Sequence, residues 1–452
     1  MKRKQSLFAK PIPQKKKPKA ATPYPETLKI EGLSHEGRGI AKHDGKTIFV
    51  AGALPNEEVE YEITSKHRRY DEANCTQVLT ESSQRTSPKC EHFGTCGGCD
   101  LQHLAHEHQI PTKQTLVLDQ LNRLGKFAPE KVEEPITSAE WNYRRSCRIG
   151  INQMMRDGSA LVGFRRRGSS KLTQIDHCPV LAEPLDKILS ALPHVLEAEE
   201  QFKEITHGEL TLGDNQGALT LRVKKRPSEA LCQALSDLAE QRNFKLYFDH
   251  GDKIEAYSDK AVLSYKHQPT ATNIEFEPGD FIQVNNQVNQ QMIDRAISWL
   301  NLEANDRVLD LFCGIGNFSL PLAKTAAHVV GIEGVEDMVA RANTNAANND
   351  LDNCEFYRAD LSKDLRAMPW YKQGFNKILL DPPRTGALEI IKQLKNHEPE
   401  MILYVSCNPA ALSRDGAELI EQGYVASRFC VMDMFPHTSH VESMVLFERK
   451  TA

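Results

Sequence analysis

The sequence predicts a multidomain protein with a small OB-like β-barrel, an α+β central domain and a C-terminal Rossmann-like α/β domain. Three observations predict this order. Glycine punctuates short alternating segments over residues 26–81, cysteine and arginine concentrate in the middle of the chain, and apolar strands alternate with helical segments from about residue 275 onward. A length of 452 residues suits two or three domains. The predicted divisions are 1–22, 23–81, 82–272 and 273–452.

Composition excludes several classes of protein. Hydrophobic residues make up 40% of the chain and charged residues 26%, which excludes wholesale disorder and collagen-like repeats. No apolar run approaches the roughly 18 residues needed to cross a bilayer, and the basic N-terminus lacks the apolar core of a signal peptide. We therefore expect a cytoplasmic protein with no membrane partner. Its 11 cysteines are then thiols or metal ligands rather than a disulfide framework.

The N-terminal arm carries an uneven share of the charge. Residues 1–19 hold eight basic residues and no acid, although the net charge of the chain is −5. A basic arm on an acidic body is typical of nucleic-acid contact. A solvated tail without a specific partner explains the same composition. Three prolines predict that the arm, residues 1–22, is disordered, and charge alone leaves both interpretations open.

Residues 26–81 are expected to form about five short strands. Asp44-Gly45 between apolar runs indicates a hairpin turn, and Glu58–Ser65 places Val59, Tyr61 and Ile63 at a period of two. So many strands in so short a segment suit a small barrel of the OB type. The run His67–Tyr70 puts positive charge beside an aromatic ring, which favours RNA binding over a plain β module.

A cysteine cluster opens the central domain. Cys90, Cys96 and Cys99 are followed, after 78 intervening residues, by Cys178 and a proline. Four thiolates hold either zinc or a [4Fe–4S] cluster. The three-plus-one grouping favours iron–sulfur, with zinc and no metal as alternatives. The same domain carries six arginines within 24 positions: Arg144, Arg145, Arg148, Arg165, Arg166 and Arg167.

A glycine loop opens the last domain. The strand ending at Phe312 leads into Gly314 and Gly316, and glycines at a strand-to-helix turn let the backbone approach a ligand closely. Glu333 lies 23 residues beyond Asp310, where an acid accepts hydrogen bonds from ribose hydroxyls. A dinucleotide-binding dehydrogenase needs a third glycine where Ser319 stands. The loop is more similar to the S-adenosylmethionine (SAM) loop of methyltransferases.

A cysteine follows a later strand of the same domain. Cys407 stands at the carboxyl edge of a parallel strand, where such sheets bind ligands. C5 of uracil becomes nucleophilic enough to accept a methyl group only after a thiolate adds to C6. A base must then remove the C5 proton, and Glu442 is the best candidate, with His440 second. A buried structural cysteine is the alternative for Cys407 and the preferred interpretation of Cys313.

Together these motifs resemble the 23S ribosomal RNA (uracil-C5)-methyltransferases, in particular the uridine-1939 branch. The resemblance covers nearly the whole chain after the basic arm, and it makes residues 26–81 a TRAM domain and the last domain a class I methyltransferase. It assigns Cys407 as nucleophile and Glu442 as general base. The implied cluster ligands are Cys90, Cys96, Cys99 and Cys178. The implied SAM contacts are Gln283, Phe312, Asn317, Glu333, Asp360 and Asp381.

The resemblance implies a function in the same chemical terms. The protein would methylate C5 of one uridine in 23S ribosomal RNA, act as a monomer and use its [4Fe–4S] cluster to organise the central domain. Three alternatives remain at this point. They are an iron–sulfur RNA-binding protein with an inactive methyltransferase domain, an RNA N-methyltransferase that needs no thiol, and a zinc-structured enzyme with the same chemistry.

Overall fold

A computed structural model describes residues 24–198, 200–395 and 397–450. The predicted basic arm therefore lies outside the described residues. The chain divides into two compact units, one made of the residues up to Leu33 with Arg38–Ser82, and the other of Ser34–Gly37 with all residues from Ser83 onward. Within the described ranges, no helix is long and apolar enough to span a membrane.

The first unit is an all-β module. Its six strands pair in the order β1-β5-β6-β4-β3-β2. The strands are β1 (Thr27–Lys29), β2 (Gly32–Leu33), β3 (Gly39–His43), β4 (Lys46–Ala51), β5 (Glu58–Lys66) and β6 (Tyr70–Thr80). Asp44 and Gly45 both have positive φ, 47° and 75°, which is the geometry of the predicted hairpin turn. Val59 is fully buried and Tyr61 and Ile63 pack on the same core, so the predicted alternation in β5 is confirmed.

The second unit begins with a helix and then builds a seven-stranded sheet. Helix α1 (His106–Gln120) contacts the C-terminal part of the chain, and strand β7 (Lys131–Val132) joins the C-terminal sheet. The seven-stranded sheet has the order β10-β9-β8-β11-β12-β13-β14 and shares one apolar core with two helices. These elements are β8 (Ser146–Gln153), β9 (Ala160–Arg165), β10 (Leu172–Gln174), α2 (Glu183–Glu197), β11 (Ile205–Leu212), β12 (Gly217–Val223), α3 (Glu229–Glu240), β13 (Phe244–Asp249) and β14 (Ile254–Ala256).

A hairpin and a helix lead into the last sheet. They are β15 (Leu263–His267), β16 (Thr272–Phe276) and α4 (Asn286–Leu300). The eight-stranded sheet has the order β19-β18-β17-β20-β21-β23-β22-β7. Its further elements are β17 (Arg307–Leu311), α5 (Ser319–Ala323), β18 (His328–Glu333), α6 (Glu336–Asn348), β19 (Cys354–Arg358), β20 (Lys377–Leu380), α7 (Leu388–Leu394), β21 (Met401–Ser406), α8 (Pro409–Glu421), β22 (Tyr424–Met432) and β23 (Glu442–Arg449).

Strand direction in the eight-stranded sheet positions the candidate site. Strands β17 to β21 run parallel, whereas β23 pairs antiparallel with both β21 and β22. The predicted alternation of strands and helices is confirmed. Apolar residues cover both faces of the parallel strands in two clusters, as buried parallel sheets require.

Candidate active site

The carboxyl ends of four parallel strands meet at one edge of the eight-stranded sheet. Leu311 at the end of β17 pairs with Ile332 on one side and with Leu380 on the other. Phe312 N donates to Ile332 O over 2.9 Å, which extends this alignment past the strand end. The sheet therefore brings Phe312, Glu333 and Asp381 to the same edge, where open α/β sheets bind ligands.

The turn after β17 has a backbone that few side chains tolerate. Phe312 has a φ of 68°, a left-handed conformation that costs about 1 to 3 kcal/mol for a residue other than glycine. Gly316 has a φ of 95°, and a Cβ there would lie 2.9 Å from Leu320. Such strain is typical of ligand-binding turns, so the glycine spacing in the sequence reflects a close backbone approach.

Glu333 ties this turn to the start of the next helix. One carboxylate oxygen accepts from Gly314 N at 3.2 Å, and the other accepts from Gly334 N at 2.7 Å and Val335 N at 3.0 Å. A carboxylate offers about four acceptor positions, so one remains for a ribose hydroxyl. The predicted cofactor acid thus also holds the loop in place.

Asn317 lies in a side-chain network that the sequence did not reveal. Its amide exchanges two hydrogen bonds of 3.0 Å with Asn289 of α4, and its oxygen also accepts from the Tyr265 hydroxyl at 2.9 Å. The buried Arg145 guanidinium lies 4.5 Å from the Tyr265 ring and donates through Nε to the backbone oxygen of Gln283 at 2.8 Å. Two predicted cofactor residues, Gln283 and Asn317, are therefore linked through Arg145 and Tyr265.

Asp360 is the most exposed of the predicted cofactor residues. It follows β19, and the adjacent Ala359 N donates to Glu333 O at 2.9 Å, which brings it beside the Glu333 backbone. The Ser362 hydroxyl and amide donate to one Asp360 oxygen at 2.6 and 3.0 Å. These bonds lower the pKa of the Asp360 carboxyl, so it carries a negative charge.

Cys407 and Glu442 lie at neighbouring ends of antiparallel strands. Ser406 pairs directly with Ser443, so the next position of each strand at this end is Cys407 and Glu442. The Asn408 side chain accepts from Ala410 N at 3.1 Å and caps α8. Cys407 therefore stands between a strand end and a helix N-terminus, which is a setting that favours a thiolate. The sequence placed both residues at this edge, and the sheet brings them together.

Burial and neighbouring acids oppose ionisation at this pair. Burial, Glu442 and Asp381 raise the pKa of the Cys407 thiol to about 11, whereas the Arg384 guanidinium lowers it. Burial raises the pKa of Glu442 to about 8, with a further rise from Asp381 and an opposing effect of Arg384. Burial alone raises the pKa of Asp381 to about 7. Thiol, two acids and one guanidinium thus form a coupled group.

His440 is less suited to act as the base. Burial and the charge of Arg384 lower the pKa of its imidazole, and its ring packs at 5.7 Å from the Phe435 ring. The same strand start carries Glu442, whose pKa is raised instead. A carboxyl with a pKa near neutrality is the better proton acceptor of the two.

The four predicted cluster cysteines line one cavity of about 1420 Å³ in the second unit. Burial raises the pKa of the Cys99 thiol to about 11, and the charges of Cys96 and Cys90 add to the rise. Burial also raises the pKa of Cys178, with contributions from Cys99 and Cys90. The four thiols are therefore electrostatic neighbours. Among the described residues, no three His, Cys, Asp or Glu side chains are arranged to hold a single metal ion.

Arginines share the walls of this cavity, which the sequence did not predict. Two backbone hydrogen bonds join the end of β9 to the cysteine loop. Gly97 N donates to Arg165 O at 2.9 Å, and Arg167 N donates to Thr95 O at 3.0 Å. Five of the six arginines of the central runs line the cavity: Arg144, Arg148, Arg165, Arg166 and Arg167. The sixth, Arg145, is buried, and two of its guanidinium nitrogens have no hydrogen-bond partner.

Comparison with known proteins decides the family. The sequence profile of the tRNA (Uracil-5-)-methyltransferase family matches residues 136–450, more than half of the chain. The chain belongs to this family. The profile of the TRAM domain also matches residues 26–74, in the first unit. The resemblance inferred from the sequence is thereby confirmed.

Two relatives in this uracil-C5-methyltransferase family align with almost the whole chain. The 23S rRNA (uracil(1939)-C(5))-methyltransferase RlmD of Alkalilimnicola ehrlichii is 42% identical over 94% of the chain and 97% of the relative. That of Pseudomonas fluorescens is 42% identical over 99% and 97%. The solved tRNA (uracil-54, C5)-methyltransferase of Pyrococcus abyssi, in complex with S-adenosyl-L-homocysteine, has a TM-score of 0.70 and 23% identity over 93% of this chain and 100% of that chain. The class I methyltransferase fold is thus shared.

Proposed function

We propose that the protein transfers a methyl group from SAM to C5 of a uridine in 23S ribosomal RNA, at the position numbered 1939 in the names of its relatives. The observation that carries this proposal is the placement of Cys407 beside Glu442 at the sheet edge that also bears the glycine loop. A one-step transfer to a ring nitrogen needs neither a thiol nor a carboxylate in this arrangement.

The cofactor site is proposed at the ends of β17 to β20. Phe312, Asn317 and Gln283 would line it, and Glu333 and Asp360 would accept hydrogen bonds from its hydroxyl groups. Asp381 follows β20, which lies between β17 and β21 in the sheet, so it stands between this site and Cys407. SAM supplies a methyl group on a positively charged sulfur. The acids along the edge favour such a charge.

Cys407 and Glu442 divide the reaction between them. The Cys407 thiolate forms a bond to C6, and the C5–C6 π electrons move to C5. C5 then bonds to the methyl carbon of SAM, and the electrons of the broken S–CH3 bond stay on the sulfur of the departing S-adenosylhomocysteine. Glu442 then accepts the C5 proton, the C5–H electrons restore the double bond, and the sulfur leaves as a thiolate. Arg384 lowers the pKa of the thiol and of the carboxyl, so it favours the ionised form of each.

A [4Fe–4S] cluster is the metal group that we propose for the four cysteines. Four thiols face one cavity, and Gly98 N donates to Cys96 Sγ at 3.4 Å, a bond that stabilises a metal-bound thiolate. Each thiolate of such a cluster binds a different iron, so the sulfur atoms do not converge on one point. Cys90, Cys96, Cys99 and Cys178 would hold it. Complete cysteine ligation leaves a structural role, in organising the central domain 82–272.

The remaining assignments concern RNA. The exposed arginines of the cavity are suited to phosphate oxygens, and the TRAM module is proposed as an OB-type barrel that contacts RNA through His67 and Tyr70, whose rings stack at 4.5 Å. We propose that the protein acts as a cytoplasmic monomer, with the division of the chain given above and the catalytic domain at 273–452.

A trapping experiment tests the proposed reaction. The protein would be incubated with SAM and a fragment of 23S ribosomal RNA that carries 5-fluorouridine, and then run on a denaturing gel. Fluorine at C5 cannot leave as a proton, so the thiol adduct persists and gives a shifted band. C407A should give no band, whereas C232A, which removes a buried thiol of the central domain, should give the wild-type band. Methyl transfer to unmodified RNA without any trapped band would reject the mechanism.

A further inference from the structure

We propose that Asp100 is a positioning residue for the general base Glu442, and thus that the cysteine loop is a structural part of the active site. The inference rests on the proposed function. Asp100 follows Cys99 directly in the chain, whereas Glu442 lies more than 300 residues later. The fold brings the cysteine loop against residues 435–441, the loop that leads into β23.

Asp100 contacts this loop through both its backbone and its side chain. Asp100 N and Leu101 N both donate to His437 O at 2.9 Å. The Asp100 carboxylate accepts from the Ser439 hydroxyl at 3.0 Å, and the Ser439 amide lies at 3.4 Å from the same oxygen. The cysteine loop therefore holds two points of the segment, five and three residues before Glu442.

The held segment has a conformation that it would not adopt without support. His437 has a φ of 65°, which is uncommon for a residue with a side chain. Its ring is buried, stacks on Trp141 with 3.8 Å between ring centroids, and its amide donates to the Gln109 side chain at 2.8 Å. Glu442 is the first residue of β23 and stands three residues after Ser439, so a shift of the segment would act on the backbone that carries the carboxyl.

Asp100 is itself held by the arginine-lined wall of the cavity. Its second carboxylate oxygen lies 2.6 Å from the Arg167 guanidinium, whose Nη2 also donates to Cys99 O at 2.8 Å. The Asp100 side chain thus joins a cavity arginine to Ser439. Order in the cysteine loop would favour the position of Asp100 that places Glu442.

The step affected is the last one. When Glu442 is displaced, Cys407 still adds to C6 and C5 still takes the methyl group, but the C5 proton has no acceptor. The C5–H electrons then cannot restore the double bond and expel the sulfur. A covalent protein–RNA species should accumulate with ordinary uridine, without fluorine. A substitution that only loosened the fold would lower the yield of this species instead of raising it.

The experiment compares five variants with wild type, using unmodified RNA fragment and SAM on a denaturing gel. E442Q is the reference for a missing base. D100A should accumulate the covalent species and lower kcat by about tenfold to hundredfold, as expected for a misplaced catalytic group, with KM for SAM unchanged. D100N keeps an acceptor for Ser439 and should restore most of the rate. D249A removes an acid of the same domain that pairs with Arg222 at 3.0 Å, and should behave as wild type.

Further measurements distinguish a failure of the inference about Asp100 from a failure of the proposed function. Iron and sulfide content should be equal in D100A and wild type. S439A removes the side-chain contact from the opposite partner and should give a weaker accumulation of the same species, even where D100A folds poorly. Wild-type turnover in S439A, or lost turnover without accumulation in D100A and S439A, overturns the inference. Absence of the species in E442Q itself would instead contradict the assignment of the base in the proposed function.

Discussion

The edge of the eight-stranded sheet and the cavity of the central domain assemble their functional side chains in different ways. At the sheet edge, Glu333, Asp381 and Cys407 stand at the carboxyl ends of parallel strands whose register aligns them, and Glu442 begins the antiparallel strand beside Cys407. In the cavity, backbone hydrogen bonds join the cysteine loop to the arginines at the end of β9. The edge carries partly buried acids with raised pKa values, whereas the cavity presents exposed cations such as Arg148. The first arrangement suits proton transfer, and the second suits a polyanion.

The largest expected effect is at the edge. C407A removes the sulfur that is proposed to bond to C6, so kcat should fall by about a thousandfold or more, because covalent catalysis would be lost as a whole. Methyl transfer from radiolabelled SAM to RNA measures it. RNA affinity should stay within about twofold of wild type, since phosphate contacts supply most of it. If C407A kept a tenth of the activity, the sheet edge would not be the covalent reaction centre, and the contrast drawn between it and the cavity would fail.

The second effect concerns the general base. E442Q should lower kcat by about a hundredfold, within the range for a lost general base. Single-turnover kinetics should show methyl transfer to RNA that remains attached to the protein. Rapid release of methylated RNA by E442Q would show that another group, with His440 the nearest candidate, accepts the proton.

The dependence of kcat on pH tests the raised pKa values of the partly buried acids, which distinguish the sheet edge from the cavity with its exposed cations. Burial and Asp381 raise the pKa of Glu442 to about 8, so the carboxyl is mostly protonated below that pH and gains its basic form as pH rises. At saturating SAM, kcat should therefore rise with pH up to about 8. D381N removes a neighbouring negative charge, which lowers the pKa of Glu442 and should move this limb to lower pH. A limb that stayed in place would contradict the coupling.

The same shift predicts a small effect on stability. The pKa of Glu442 is raised in the folded state, so its contribution to stability is present below the unfolded value near 4.5 and is lost as pH rises toward about 8. E442Q has no ionisable group there. Its unfolding midpoint in denaturant should therefore rise relative to wild type between pH 5 and about 8. Equal pH dependence of the two proteins would show that the carboxyl is better solvated than its surroundings indicate.

The smallest effect is expected in the cavity. The Arg148 side chain is 82% exposed and pairs with Glu209 at 2.9 Å. R148A should weaken RNA binding by only a few-fold and reduce the slope of log affinity against log salt by about one phosphate contact. R156A, an exposed arginine on the β8–β9 turn that does not line the cavity, is the matched control. A change in kcat at saturating RNA would contradict a purely electrostatic role.

Local patterns in the sequence were enough for most of the fold. The strands Lys377–Leu380 and Met401–Ser406, for example, are apolar runs flanked by polar residues, which is the pattern that predicted alternating strands and helices after residue 275. The hairpin at Asp44 and the positions of Cys407 and Glu442 follow from equally local signals. Local patterns therefore predicted both the sheet edge and the positions of these residues on it.

Contacts between segments that are distant in the chain could not be predicted from the sequence. Strand β7, Lys131–Val132, joins the sheet far from its own neighbours in the chain, and no periodicity marks a strand of two residues. The bond between Asp100 and Ser439 spans 339 positions. The amide pair of Asn289 and Asn317 depends on how a helix packs against a loop. Each depends on three-dimensional packing, which spacing along one chain does not encode.

The most direct test of the account is to locate the adduct by mass spectrometry. The complex trapped with 5-fluorouridine RNA and SAM would be digested with nuclease and protease, and the modified peptide sequenced. The account predicts one nucleotide on Cys407, bonded through C6 and carrying both the fluorine and one added methyl group. A nucleotide on another residue, or on Cys407 without the added methyl group, would contradict the proposed reaction.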